Sequence, residues 1–165
     1  MSSEDVFILD GLDEEKEAIS FGLNELLLMI SSVLAGILSY STKNIIFTLM
    51  LISLSSSLPD TISYYQNIYQ ENKDAYKSAK ISSYVFLTQF ITTILLISPL
   101  IVVHTKLVGV MISYIIIITL NFINLRYIIG YDLSKTALQM SIYSFISLIV
   151  YGISVFAKNY FKITI

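Results

Sequence analysis

Residues 44–65 read NIIFTLMLISLSSSLPDTISYY, a run whose one charged group is Asp60. A helix rises about 1.5 Å per residue, so about 20 apolar residues cross the roughly 30 Å of a bilayer's hydrocarbon. The run is continuously apolar rather than alternating over about ten residues, which predicts a helix and not a barrel strand. Four further runs of the same kind flank it, at about 21–39, 82–103, 107–125 and 138–157. The predicted fold class is therefore all-α, a polytopic membrane protein with five transmembrane helices. Two domains are expected: an acidic segment over 1–20 and a five-helix transmembrane domain over 21–165.

Composition agrees. Of the 165 residues 55% are hydrophobic and 13% charged, against about 25% charged in an average soluble domain, and the mean hydropathy is +0.75. Seven of the 12 acidic residues (Glu4, Asp5, Asp10, Asp13, Glu14, Glu15 and Glu17) crowd the first seventeen positions, which argues against nucleic acid as a partner. With no cysteine and a single histidine, His104, there is no disulfide framework, thiolate site or imidazole cluster. The acidic start lacks the pattern of a secretory signal peptide.

Very short connections at 40–43 and 104–106 predict antiparallel neighbours. Those at 66–81 (QNIYQENKDAYKSAKI) and 126–137 (RYIIGYDLSKTA) are longer and charged. Placing the N-terminus in the cytoplasm puts Lys16, Lys73, Lys77, Lys80, Arg126 and Lys135 inside and Lys43, Lys106, Lys158 and Lys162 outside, so the bias favours N-in. The segment LDEEKEAIS (12–20) reads as a short amphipathic helix with Asp13 as its cap. Tyr40, Tyr64, Tyr65, Tyr127 and Tyr160 fit interfacial belts.

Two ionisable groups fall inside the runs, Glu25 beside Asn24 in the first and Asp60 in the second. Such groups are costly at bilayer depth and are functional candidates by default. Antiparallel neighbours place the two at similar depth in one leaflet, where they share a proton or bind a cation; a divalent ion with oxygen ligands suits them. Pro59 removes a helix hydrogen bond beside Asp60, and broken helices near ion sites recur in transporters. Ser53, Ser55, Ser56 and Ser57 offer small packing surfaces and hydroxyls. The amides and hydroxyls Gln89, Thr92, Thr93, Asn121, Asn124 and Gln139 read as interhelical hydrogen-bond formers, Met29 and Met50 as packing residues. Glu71 and Asp74 form an i, i+3 carboxylate pair that is either a cation contact or an ordinary charged helix surface.

The stretch KEAISFGLNELLLMISSVLAG (16–36) resembles the opening of the vacuolar iron transporter family through Glu17, Ala18, Ile19, Phe21, Gly22, Asn24, Ala35 and Gly36. PDTIS (59–63) is similar to the end of that family's second span, with Asp60 in its glutamate's place and Ser63 matching its serine. Pro99, then Ser134, Ala137 and Leu138, and YGISVFAKNYF (151–161) follow the pattern further. The resemblance implies a homodimer that moves Fe(II) or Mn(II) out of the cytoplasm in exchange for protons, with Glu25 and Asp60 at the translocation site and Asn24, Ser56 and Pro59 supporting it. The sequence departs from the pattern at Leu26 and Pro59, where the family carries glycine, and at Ser56, where it often carries methionine. The connection at 66–81 also lacks the family's long metal-binding domain, leaving Glu71 and Asp74 as candidates for cation uptake there. Two other classes stay open. One is a divergent bundle, non-transporting or for another cation, with a structural or regulatory role. The other is an intramembrane enzyme, disfavoured because no Cys, His pair or Ser/His arrangement is present. Plasma and internal membranes suit the chain equally.

Overall fold

A computed structural model of the protein describes the backbone over 3–36 and 41–161, and side chains over 13–34, 41–153, 156 and 160. Residues 37–40, Lys162 and the side chains of Glu4, Asp5, Asp10, Ala35 and Lys158 lie outside the described residues. The described chain is all-α: α1 (Ser3–Gly36), α2 (Thr42–Asn72), α3 (Ala75–Val102), α4 (Lys106–Ile123) running into a π turn (Asn124–Ile128), and α5 (Leu133–Phe161). Five helices are long and apolar enough to cross a membrane, the pattern of an integral multi-pass protein.

The helices outlast the apolar runs that announce them. The connection expected over 66–81 is almost entirely helical, because QNIYQEN and AYKSAKI keep helical geometry after their hydrophobicity ends. Only Lys73 and Asp74 turn the chain. Lys73 takes the left-handed conformation (φ 56°) and donates its N–H to the Tyr69 carbonyl, while the Asp74 carboxylate accepts from the N–H groups of Tyr76 and Lys77. An αL residue closing one helix and an aspartate opening the next satisfy some of the backbone groups that a tight turn orphans. Asp13 is not a cap: α1 passes through it unbroken, so 12–20 belongs to the first span's own helix, and the boundary expected at 20/21 falls inside that helix. The connection at 126–137 likewise shrinks to Ile129–Asp132, where Gly130 (φ 80°) ends the π turn and Asp132 accepts from the Lys135 N–H at 2.7 Å.

α1 is the central element and packs against the other four. Its Leu26, Leu27, Ile30 and Leu34 form one apolar core with Ile45 and Leu49 of α2, Leu96, Ile97 and Leu100 of α3, and Val110 and Ile117 of α4. Gly22 permits the closest approach: a Cβ there would stand 3.0 Å from the Val85 carbonyl oxygen of α3. Small residues at such crossings let helix backbones meet without the hydrophobic drive available in water. The outward faces carry Phe47, Leu51, Leu58, Ile91, Ile115 and Phe145, all exposed, as a lipid-facing surface requires. Beyond the apolar core, α1 and α3 are braced by Lys77 to Glu14 at 2.8 Å and Lys80 to Glu15 at 3.0 Å.

Candidate functional site

The aromatic contact between Phe21 and Tyr64, with ring centroids 5.1 Å apart, fixes the register of α1 against α2. Glu25 lies four residues beyond Phe21 and Asp60 four residues before Tyr64, so each sits about 6 Å of helix rise along the same direction. Their levels match. Glu25 is exposed, whereas Asp60 is half-buried. No hydrogen bond or ion pair joins them among the described residues, and their surroundings differ: Glu25 lies within electrostatic reach of Tyr143 on α5, while Asp60 accepts from Gln89 Nε2 of α3 at 2.8 Å.

Gln89 is fully buried, so Asp60 is anchored by a side chain that cannot swing to solvent. Around it α2 and α3 share a polar seam. Ser53 and Thr93 are hydrogen-bonded through their hydroxyls, and Thr93 donates to the Gln89 carbonyl at 2.7 Å. Pro59 sits inside an unbroken helix. Having no N–H, it leaves the Ser55 carbonyl without its i+4 donor. The serines nearby bond back along their own helix: Ser55 to the Ile52 carbonyl, Ser56 and Ser57 to that of Ser53, and Thr61 to that of Ser57. Such back-bonding bends helices slightly, and it commits these hydroxyls to the backbone rather than to a hydrated path.

Asn24 faces away from that seam. Its Oδ1 accepts from Asn124 Nδ2 at 2.9 Å, a bond across 100 positions of sequence. Asn124 opens the π turn, where Ile129 N–H reaches the Asn124 carbonyl at 2.9 Å. A π turn inserts an extra residue and is frequent at functional sites; here it buries Asn124 and Leu125 together with Asn121. Among the described residues the Oδ1 atoms of Asn121 and Asn124 are buried without hydrogen-bond partners, an arrangement that costs about 1–3 kcal/mol per group. Above Asn24 a cleft of about 600 Å³ opens toward the end of the bundle holding the α2–α3 turn, lined by Asp13, Lys16, Glu17 and Ser20 of α1 and by Tyr64 of α2. Deeper in the bundle, Tyr114 donates to the Ser31 carbonyl at 3.2 Å and Ser147 to Ser31 Oγ at 3.2 Å.

The structure thus brings Glu25 and Asp60 to one level but gives Asn24 a different partner from either. Glu71 is exposed, and Asp74 is occupied in capping α3. Among the described residues no three His, Cys, Asp or Glu side chains gather into a metal-binding group. Sequence reasoning took Gln89 and Asn124 for interhelical glue, which they are, and missed that each holds a candidate site residue. The signal available for the second was Asn121 and Asn124 at i, i+3 in an otherwise apolar run. Met29 packs against the core as expected. No protein-family model, curated protein or solved structure matches the chain.

Proposed function

We propose that this chain is a multi-pass membrane transporter that moves divalent iron or manganese out of the cytoplasm in exchange for protons, as the resemblance of residues 16–36 to vacuolar iron transporters implies. Glu25 and Asp60 are its translocation carboxylates, the N-terminus is cytoplasmic, and the working unit is a homodimer. The observation that carries this reading is the shared level of the two carboxylates together with the exposure of Glu25, the one charged residue of α1 over 18–34. A carboxylate at bilayer depth costs about 2.5–3.5 kcal/mol on insertion scales. One facing outward from the folded chain needs a partner, and among the described residues Glu25 has no hydrogen bond or ion pair, with only the Tyr143 ring of α5 within electrostatic reach. A second copy covering the flank around Glu25, with a proton or cation between the carboxylates, meets that need. Asp60 then holds its ligand geometry through Gln89, while Glu25 is free to reorient. Over one full cycle the carboxylates would release protons on the cytoplasmic side as they take the metal ion and regain protons from the far side as it leaves, which couples the two fluxes.

Reconstitution in vesicles with a metal-sensitive dye and an imposed proton gradient tests this reading. Fe(II) or Mn(II) flux is expected in the unchanged protein and is lost in Glu25→Ala and in Asp60→Ala. Flux indifferent to both substitutions refutes the site, and no flux under any gradient refutes transport. That last result favours the divergent structural bundle, in which the bond from Gln89 to Asp60 serves packing alone.

A further inference from the structure

The hydrogen bond between Ser53 of α2 and Thr93 of α3 sets the register of these two antiparallel helices. At that level a groove of about 200 Å³ lies between them, walled by Met50 and Leu54 of α2 and by Phe90, Ile94, Ile97 and Ile101 of α3. Phe90 stands at its deep end, stacked on Phe86 with ring centroids 6.1 Å apart, and Ile101 at the end nearer the α3–α4 turn. The stretch of α3 from Phe90 to Ile101 rises about 16 Å, half of the roughly 30 Å of a bilayer's hydrocarbon and so the depth of one leaflet. Met50, Leu54, Phe90, Ile94 and Ile101 are exposed, so the groove opens outward from the bundle. The hydroxyls of its wall are committed elsewhere: Ser53 and Thr93 to each other, Thr93 also to the Gln89 carbonyl at 2.7 Å, and Ser98 to the Leu95 carbonyl at 2.8 Å. An occupant of this groove meets hydrocarbon rather than hydrogen-bond donors.

The rim of the groove carries charge of one sign. Ten residues back from Ser53 along α2 is Lys43, and ten on from Thr93 along α3 is Val103, the cap of that helix. Lys43 and the adjoining His104 therefore stand at one level, about 15 Å from the Ser53–Thr93 pair, where the hydrocarbon of that leaflet gives way to headgroups. Lys43 precedes Met50 by seven residues, two turns along the same helix face, and both Lys43 and His104 are exposed. Lys106 opens α4 at the same end. Residues 41–43 and 103–108 contain no Asp or Glu, since all 12 acidic residues fall within 4–25, at Asp60, within 71–74 and at Asp132. The opposite end is different, because there Lys77 and Lys80 are neutralised by Glu14 and Glu15.

We propose that the α2–α3 groove and its rim hold one anionic phospholipid, with an acyl chain laid along Met50, Ile94 and Ile101 and the phosphate beside Lys43 and His104. Two independent features select this occupant: a groove of one leaflet's depth that offers only hydrocarbon, and a cationic rim without carboxylates at the level of the headgroups. A second copy seated on this face about a two-fold axis along the membrane normal would bring two rims of like charge together, which opposes it. The site depends on the placing of α2 against α3 and not on the transport reading.

The chain contains no tryptophan, so Phe90→Trp places a single reporter in the groove, and Ile101→Trp is a second should the first disturb the stack on Phe86. Phe145→Trp, on the exposed face of α5, reports ordinary lipid contact. Each full-length variant is reconstituted with brominated phosphatidylglycerol or brominated phosphatidylcholine as the quencher. At low ionic strength the groove reporters are expected to reach half-maximal quenching at about fivefold less phosphatidylglycerol than phosphatidylcholine. That preference falls with added salt and is lost in Lys43→Gln, while Phe145→Trp shows none. A preference that survives Lys43→Gln, or one of the same size at Phe145→Trp, overturns the proposal. So does relief of quenching by inorganic phosphate at matched ionic strength, which would mark a site for a free anion. Groove reporters quenched by neither lipid would mean that protein, a second copy, covers the face, and that result overturns it as well.

Discussion

Replacing Gln89 should reveal how firmly Asp60 is held. The bond from Gln89 Nε2 to Asp60 Oδ2 is 2.8 Å long and its donor is fully buried. Hydrogen bonds to charged groups contribute about 1.5–3 kcal/mol in proteins generally, whereas interhelical bonds in membranes average about 0.6 and reach about 1.7 kcal/mol. A short, buried bond to a carboxylate belongs at the upper end of the membrane range, so a coupling energy of about 1–2 kcal/mol is expected. Single substitutions will not display it cleanly. Gln89→Leu also removes the unpartnered Oε1 of Gln89, which offsets part of the loss. Asp60→Leu removes a carboxylate whose insertion cost is about 2.5–3.5 kcal/mol, so this variant should be no less stable than the parent while losing flux. The double-mutant cycle of Gln89→Leu and Asp60→Leu isolates the pair. Unfolding in mixed micelles, followed by far-UV circular dichroism, provides the four stabilities. A coupling below about 0.3 kcal/mol would refute the claim that Gln89 positions Asp60.

Two glycines should respond oppositely to alanine. At Gly22 the new Cβ meets the Val85 carbonyl oxygen at 3.0 Å, so an overpacking cost of about 1–3 kcal/mol exceeds the roughly 1 kcal/mol of helix propensity gained. At Gly152 no atom of the described residues lies within 4 Å, and the same change stabilises by about 0.5–1 kcal/mol; the unfolding midpoints of the two variants compare them directly. Pro59→Ala restores the N–H that the Ser55 carbonyl lacks and raises stability by up to about 3 kcal/mol. If the proline tunes the geometry around Asp60, vesicle flux falls as stability rises. Asp74→Ala removes the α3 cap and costs about 1 kcal/mol, read as a lower unfolding midpoint.

The five helices were legible because hydropathy reports what faces lipid, and the runs around Leu49 and Ile117 announce their depth without help from the rest of the chain. Helix ends were not, because residues such as Asn67 and Tyr76 extend a helix into water where hydropathy has nothing to detect. Asp13 shows the same blindness from the other side: a good capping residue in a good capping pattern becomes an ordinary mid-helix residue once α1 continues upstream. The matching level of Glu25 and Asp60 followed from antiparallel neighbours alone. Their partners did not, since Gln89 meets Asp60 and Asn124 meets Asn24 only after three and four helices respectively have been placed. The π turn has no sequence signature; it becomes visible only where the Ile129 N–H bonds past its usual acceptor to Asn124.

The two-residue turn at Lys73 and Asp74 has a practical consequence. Each helix is capped from within the turn itself, α2 by the Lys73 N–H on the Tyr69 carbonyl and α3 by the Asp74 carboxylate. A soluble domain spliced between these two residues would rise from a pair of antiparallel stalks and inherit their stiffness. That makes the turn a natural fusion point for enlarging a small membrane protein for particle imaging.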